Sequence, residues 1–340
     1  MDKREYWLDN LRAVSTFAVI CLHVVGILIY NKELPISIWM IGNVYDSLAR
    51  FCVPVFFMIS GSLLLSKDYT LKEFFNKRIL KIIPPLIFWS FIYIFIDIFY
   101  HSHVVGDVHF TLIQIVKTII KKLFYGSVGH LWFVYTLLGL YLLTPILRKW
   151  VKNSSRGELR YFLIIWLITI LYAAPEVKKY LPQIELLNFS GYVGYFVLGY
   201  YLTNYESKVK NLDVFLIAIG LLTTILCTYF AFSLGMDYIY FHTFLTYNVL
   251  ITSAGIFLLF KFREFKSEIV KKVLYPISKY SYGIYLSHVF VLKIFFKIGI
   301  DANFINPILA VPIVTLFCAA ISFLIIFLGS KIKYLNKIIG

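Results

Sequence analysis

Charged side chains are scarce in this sequence. Asp, Glu, Lys and Arg make up 15% of the 340 residues, whereas hydrophobic residues make up 60%. Soluble domains typically carry about 25% charged residues, and no hydrophilic stretch of this chain is long enough to fold as a second domain. The composition argues against a soluble protein and predicts one membrane-embedded domain over residues 1–340.

Cysteine is rare as well. The four cysteines all lie in apolar runs, and none has the C-x-x-C or Cys/His spacing of zinc or redox sites; they are Cys21, Cys52, Cys227 and Cys318. Such residues usually behave as small hydrophobic side chains. The sequence therefore predicts neither a metal centre nor redox chemistry that uses cysteine.

Acidic residues are outnumbered by basic ones, 18 against 33, which leaves a net charge of +15. Most Lys and Arg fall in segments that alternate along the chain: the N-terminus, 66–83, 148–160, 204–213, 261–280 and the C-terminal tail. The positive-inside rule places these segments in the cytoplasm, with both termini inside. A nucleic-acid partner is not expected, because the charge is divided among short loops.

What the chain has in abundance is apolar runs of spanning length. About 20 apolar residues cross a bilayer as a helix, and no small-x-small cleavage site follows the first run, so we expect a retained first span. The predicted fold is all-α and polytopic, with about ten spans. The predicted spans are 11–30, 44–65, 84–100, 131–147, 161–174, 189–203, 214–234, 241–260, 281–298 and 304–328.

The segment 101–130 is longer than the other outer loops. Its second half alternates apolar residues with Lys117, Lys121 and Lys122, which predicts a helix along the outer membrane interface. Its first half holds three histidines beside Asp107. Without a carboxylate cluster or a second His pair at helical spacing, these residues do not predict a metal site.

Ionisable groups inside a membrane are costly and usually functional. Arg12 and His23 are 11 residues apart in the first span, which places them on one helix face, about 20° apart in rotation and about 16 Å apart along the axis. Asp9 precedes Arg12 by one turn and can pair with it. One cavity lined by this face would explain both groups. Alternatively, Arg12 is an interfacial anchor and His23 a helix-to-helix hydrogen-bonding group.

Other polar groups fall within or beside later spans. Arg50 and Ser60 lie in the second span, His130 opens the fourth, and His288 lies within the ninth. Arg50 is either an anchor that reaches outward or a site residue, and His288 is either structural or functional. Asp97, at the outer end of the third span, is expected to be solvated.

Basic side chains also precede the third span. Arg78 and Lys81 are three residues apart before the Pro84-Pro85 pair, and two cations beside a membrane can hold phosphate groups. The alternative is that they only contribute to the positive-inside topology.

Five motifs follow one another from the first span to the ninth. They are Arg12 with His23; Arg50, Val53-Pro54, Phe56-Phe57 and Ser60-Gly61; Arg78, Lys81, Ile82 and Pro84; His130 to Phe133 with Tyr141 to Pro145; and Ser281 to His288. In this order they resemble the membrane acyltransferase-3 family, the ten-helix O-acyltransferases of bacterial surface glycans, and its stand-alone branch in particular. Lys81 stands where many members have Arg, which weakens a two-pronged phosphate grip.

The resemblance implies an enzyme of the bacterial inner membrane. It implies transfer of an acyl group, acetyl by default, from cytoplasmic acyl-CoA to a hydroxyl of a surface polysaccharide or lipid-linked sugar, with no bound cofactor. In this hypothesis His23 is the general base, acting with Arg12, and the phosphates of acyl-CoA bind Arg12, Arg78 and Lys81. Supporting and acceptor-site candidates are Asp9, Arg50, Ser60, His130 and His288.

Two other functions fit a polytopic protein with buried polar groups. One is a translocator of a lipid-linked sugar or polysaccharide, although we see no inverted repeat and no pair of broken helices in matching halves. The other is a non-catalytic binding or sensing domain.

Overall fold

A computed structural model describes residues 6–100, 111–174, 180, 189–205, 209–263 and 268–340. Within these residues the protein is helical and contains no strand. The helices are α1 (Tyr6–Ile29), α2 (Ile36–Ala49), α3 (Cys52–Leu65), α4 (Leu71–Phe74), α5 (Leu80–Phe99), α6 (Leu112–Tyr125), α7 (Trp132–Asn153), α8 (Arg156–Ala173), α9 (Val193–Asn204), α10 (Leu212–Ser233), α11 (Tyr247–Phe262), α12 (Glu268–Lys279), α13 (Ser281–Lys297) and α14 (Pro307–Gly329). A π-helical turn, Phe75–Ile79, joins α4 to α5, and 3-10 turns occur at Gly129–Leu131, Tyr238–His242 and Leu335–Lys337.

Each of the ten predicted spans coincides with helix in the structure, and seven helical stretches are long and apolar enough to cross a membrane. The remaining three are α8, whose first turns carry charged residues, α9 with 12 residues, and α13 with 17. The second predicted span is longer than expected, because α2 and α3 together form one stretch from Ile36 to Leu65. The count of ten and the orientation remain predictions.

Helix α1 is the centre of the bundle. It packs against α2, α3, α11, α12, α13 and α14, and Leu11, Ile20 and Leu28 on it are fully buried. Lipid chains are as apolar as leucine, so burial of apolar surface alone drives little association between spanning helices. Close packing and hydrogen bonds must therefore hold α1 in place.

Glycine allows two of the helices, α3 and α9, to approach closely. A Cβ on Gly61 of α3 would lie 1.8 Å from the Phe196 carbonyl oxygen, and a Cβ on Gly199 of α9 would lie 2.0 Å from the Met58 carbonyl oxygen. The two backbones therefore touch through reciprocal glycines, as small residues permit in membranes. This contact fixes α3, which carries Ser60 next to Gly61.

Helix α6 has the strongly amphipathic character predicted for the outer segment. None of its residues is buried, and a capping box at Thr111 and Gln114 begins it. Lys122 pairs with Asp97 of α5 at 2.5 Å, so Asp97 is partly exposed but ion-paired and not simply solvated as expected. The histidines predicted not to form a metal site, His101, His103 and His109, lie outside the described residues.

Candidate active site

The first predicted site residue, Arg12, lies near the start of α1. Its side chain is 27% exposed, and its guanidinium pairs with Asp9 at 3.6 Å. Asp9 also accepts a hydrogen bond of 2.9 Å from the Ser278 hydroxyl at the end of α12. The predicted pairing of Asp9 with Arg12 is thus present in the structure. We call the end of the bundle that holds Arg12 the basic end.

His23 lies about three turns further along α1. Its side chain is exposed, although its neighbours Val24 and Val25 are fully buried and other parts of the protein surround the ring. We infer that this accessible ring lines an internal cavity and does not face lipid.

Two further histidines meet His23, which forms a three-histidine cluster with His130 and His288. The centre of the His23 ring lies 5.1 Å from that of His288 and 6.0 Å from that of His130, and the latter two are 5.2 Å apart. His130 comes from the 3-10 turn before α7, and His288 comes from α13. Residues that are far apart in the sequence thus meet where α1, α13 and the turn before α7 pack together.

Tyrosines of α5 and α13 hold this cluster in place. The Tyr285 hydroxyl donates a hydrogen bond to the His130 carbonyl, and the Tyr93 hydroxyl donates one of 2.8 Å to the Leu286 carbonyl. The Tyr93 ring also meets the His130 ring edge to face at 5.4 Å. All four of these residues are buried, so the rings have little freedom to move.

The hydrogen bond of His288 defines its tautomer. Nδ1 lies 2.6 Å from the Tyr285 carbonyl oxygen, and since a carbonyl can only accept, Nδ1 carries the proton. Nε2 then bears a lone pair, and this buried atom has no hydrogen-bond partner within the described parts of the chain. His288 therefore offers an acceptor next to His23.

Arg50 lies at the break between α2 and α3, and it bonds inward instead of reaching to the membrane surface. Its Nε and Nη2 donate to the two carboxylate oxygens of Asp46 at 2.5 and 2.8 Å. Nδ1 of His242 lies 2.9 Å from Asp46 Oδ2, and Nε2 of His242 lies 3.2 Å from Asn43 Oδ1. The charged groups that act electrostatically on the His23 ring are Arg50 and Asp46.

A second group of cations occupies the basic end. Arg78, in the π-helical turn, donates to the Tyr69 hydroxyl at 2.7 Å. The buried Arg148 of α7 donates to the carbonyls of Tyr69 and Lys67 at 2.6 and 3.3 Å. Both guanidinium groups also contact the Tyr69 ring, at 5.4 and 5.8 Å from its centre. This tyrosine therefore organises the two arginines.

The loop that carries Tyr69 is tied down at a neighbouring position. Lys152 donates a 2.5 Å hydrogen bond to the exposed Asp68, and this bond lowers the pKa of the Asp68 carboxyl. The contact joins the loop between α3 and α4 to the end of α7.

The remaining candidates are divided between the two ends. Ser60 hydrogen-bonds with Tyr141, which interacts electrostatically with Arg12 and Arg78, so Ser60 belongs to the basic end. Lys81 is exposed and forms no ion pair with any described residue. The structure thus separates Arg50, His130 and His288, which lie around His23, from Arg78 and Ser60, which lie near Arg12.

A comparison with protein families identifies the family of this chain. The family model described as an acyltransferase domain, Acyl_transf_3, matches residues 5–327. The chain belongs to the membrane acyltransferase-3 family. Comparisons with curated proteins and with solved structures found no match.

Membership of the acyltransferase-3 family is consistent with the groups that this cavity presents. Acyl transfer requires a base for the hydroxyl proton and a donor for the oxyanion. Three imidazole rings meet here, and the Arg50 guanidinium acts electrostatically on the His23 ring. Within the described residues no cluster of three His, Cys, Asp or Glu is arranged to hold a metal ion.

Several residues around this candidate site were not predicted from the sequence. They are Asn43, Asp46, Tyr69, Arg148 and His242. Asp46 precedes Arg50 by four residues, which places both on one helix face, so this pair was recognisable from spacing. Asn43 and His242 are 199 residues apart, and no local pattern could have joined them.

Proposed function

We propose that this membrane acyltransferase is an O-acyltransferase of the bacterial inner membrane. It moves an acyl group, acetyl by default, from cytoplasmic acyl-CoA to a hydroxyl of a surface polysaccharide or a lipid-linked sugar. The observation that carries the proposal is the cavity-facing His23, which contacts two buried histidines and lies on the same helix as Arg12.

The proposed site for the donor substrate is the basic end. The phosphates of acyl-CoA carry several negative charges, and arginine binds phosphate through two parallel hydrogen bonds. Arg12 and Arg78 both act on Tyr141, and the buried Nε of Arg78 has no hydrogen-bond partner within the described residues. Lys81 adds an exposed charge at the entrance.

The distance between the two ends suits this donor. Helix rise separates Arg12 and His23 by about 16 Å, which a pantetheine arm can bridge. Phosphates held at Arg12 would therefore place the thioester near His23, so one helix face would serve both binding and chemistry.

The proposed chemical step uses His23 as the general base. His23 removes the proton of the acceptor hydroxyl while its oxygen forms a bond to the thioester carbonyl carbon. The tetrahedral intermediate then collapses, the C–S bond breaks, and the coenzyme A thiolate takes the proton from His23. The lone pair on His288 Nε2 would accept a hydrogen bond from one ring N–H of His23. This bond would orient the other ring nitrogen of His23 toward the hydroxyl of the acceptor substrate.

The test is transfer of radiolabelled acetyl groups by membrane vesicles that hold the protein, with the label measured in lipid and polysaccharide fractions. A His23→Gln variant should lose transfer by about 10²–10⁴-fold, the usual contribution of a general base. The control is His242→Gln, assayed for folding only, to show that a buried histidine can be replaced in an intact protein.

An unchanged rate in His23→Gln would exclude His23 as the base. Movement of unmodified acceptor across vesicles without acyl-CoA would instead support the translocator function.

A further inference from the structure

The four side chains Asn43, Asp46, Arg50 and His242, here called the Arg50 network, are buried in a bundle of apolar helices. Asn43 and Asp46 are fully buried, His242 is 1% exposed, and the Arg50 side chain is 11% exposed. Charges in such a place are costly and are retained mainly where they have a function. The network lies outside the set of groups that acyl-CoA binding and proton removal require.

The network fixes the guanidinium in one orientation. Asp46 accepts from two of its N–H groups. His242 contacts Asp46 through Nδ1 and Asn43 through Nε2, and the Asn43 amide donates to the Ile225 carbonyl of α10 at 3.1 Å. A continuous series of polar contacts thus runs from α10 to Arg50. Groups held in this way need no rearrangement when charge develops nearby.

The bonds to Asp46 leave part of the guanidinium for other partners. Arginine has five N–H donors in a rigid fork, of which Asp46 accepts two. The Tyr30 side chain also hydrogen-bonds with this group, and the guanidinium covers the Phe244 ring at 5.3 Å. Arg50 is also one of the charged groups that act on the His23 ring, so the guanidinium lies in the neighbourhood of that ring.

On the basis of the proposed acyl transfer, we propose that Arg50 is the donor that stabilises the oxyanion and that Asp46 positions it. When the acceptor oxygen bonds to the thioester carbon, the carbonyl oxygen gains a negative charge, and it loses this charge when the C–S bond breaks. Arg50 would hydrogen-bond to this oxygen without changing its own covalent bonds. Ser60 is less suited, because it bonds with Tyr141 at the basic end.

The alternative is that the Arg50 network only holds the break between α2 and α3 against the 3-10 turn Tyr238–His242. A purely structural role predicts lower stability and a smaller amount of folded protein. An oxyanion role predicts a lower kcat with an unchanged KM for acyl-CoA, because the interaction exists only in the transition state.

The deciding experiment is a double-mutant cycle with Arg50→Gln and Asp46→Asn in the vesicle assay. Arg50→Gln should lower kcat by about 10²–10³-fold, the usual loss for one oxyanion donor, and Asp46→Asn by up to about 10²-fold through misplacement. Because Asp46 acts through Arg50, the double variant should be no slower than Arg50→Gln alone. Additive losses, or a wild-type kcat in Asp46→Asn, would overturn the proposal.

The chain offers a matched control in another buried carboxylate. Asp213 is 5% exposed and pairs with Arg263 at 3.1 Å, at the opposite end of α11 from His242. Asp213→Asn removes a comparable buried charge but should leave kcat unchanged. If Asp46→Asn does not fold, Asp46→Glu is the substitute, because it keeps the charge and displaces the guanidinium by the length of one methylene. Asp46→Glu should also lower kcat and leave KM for acyl-CoA unchanged.

The cycle also separates this inference from the proposed function. If the wild-type protein transfers no acyl group, both are wrong. If the wild type is active and His23→Gln is not, but the two Arg50-network variants behave additively, the base assignment stands and only the oxyanion role of Arg50 is wrong.

Discussion

The histidine end, which holds the three-histidine cluster, and the basic end are built differently. At the histidine end, His130 and His288 are buried, and tyrosines of two helices hold the rings. At the basic end, Arg12 is 27% exposed and pairs with Asp9 over 3.6 Å, a looser contact, and Lys81 is exposed. One end is rigid and enclosed, whereas the other is open and adaptable.

The difference matches what the proposed function requires of each end. A buried acceptor without a partner, such as His288 Nε2, lowers the stability of the folded protein by about 1–3 kcal/mol. A hydrogen bond from a substrate or from His23 would offset this cost. Exposed ion pairs contribute about 0–1 kcal/mol, so the basic end can rearrange around phosphates at little cost. Variants at the two ends should therefore differ in which kinetic constant they change.

The largest expected effect is at the histidine end. His288→Asn keeps a donor for the Tyr285 carbonyl but removes the acceptor that faces His23. We expect kcat to fall by up to about 10⁴-fold, the loss found when the group that orients a catalytic histidine is removed, with KM for acyl-CoA unchanged. The measurement is label transfer at saturating acyl-CoA.

His288→Gln is the matched variant, because its side-chain end reaches the Nε2 position. It should retain more activity than His288→Asn. If both variants transfer acyl groups at the wild-type rate, His288 is structural and the difference between the two ends disappears.

A smaller effect is expected at the basic end. Arg78→Ala removes a guanidinium whose hydrogen bonds to phosphate are charge-assisted, each contributing about 1.5–3 kcal/mol. KM for acyl-CoA should rise by about 10–100-fold, with little change in kcat, and the wild-type KM should increase with salt. The control is Lys77→Ala, since Lys77 pairs with Glu73 in the same turn. A loss of kcat without a rise in KM would place Arg78 in the chemistry instead.

The elements that sequence periodicity predicts are those whose signal is local. The Arg12 and His23 spacing, the Asp9 pair and the amphipathic α6 each depend on residues within a few turns of one helix. Helix length was predicted less well for α2, because its polar residues Asn43 and Asp46 lie inside the bundle and interrupt an apolar pattern that begins at Ile36.

Contacts between residues that are far apart in the sequence cannot be predicted from helical periodicity. The contact of His23 with His288 and the bond between His242 and Asn43 depend on how helices pack, and the close α3–α9 crossing at Gly61 and Gly199 decides part of that packing. The resemblance named His288 as a candidate, but only the structure gives its tautomer and its neighbour. Arg148 opens the basic segment 148–160 in the sequence, but the structure buries it within α7.

The smallest expected effect tests whether Tyr69 organises the basic end. Tyr69→Phe keeps the ring that Arg78 and Arg148 contact but removes the hydroxyl that accepts from Arg78 at 2.7 Å. One such bond contributes about 0.5–1.5 kcal/mol net, so KM for acyl-CoA should rise about 2–10-fold with kcat unchanged. Tyr69→Leu should raise KM further, because both cation–ring contacts are also lost. Arg148 keeps its bonds to backbone carbonyls in both variants. If Tyr69→Phe lowers kcat and leaves KM unchanged, the basic end takes part in the chemical step, and the division between a rigid catalytic end and an adaptable binding end is wrong.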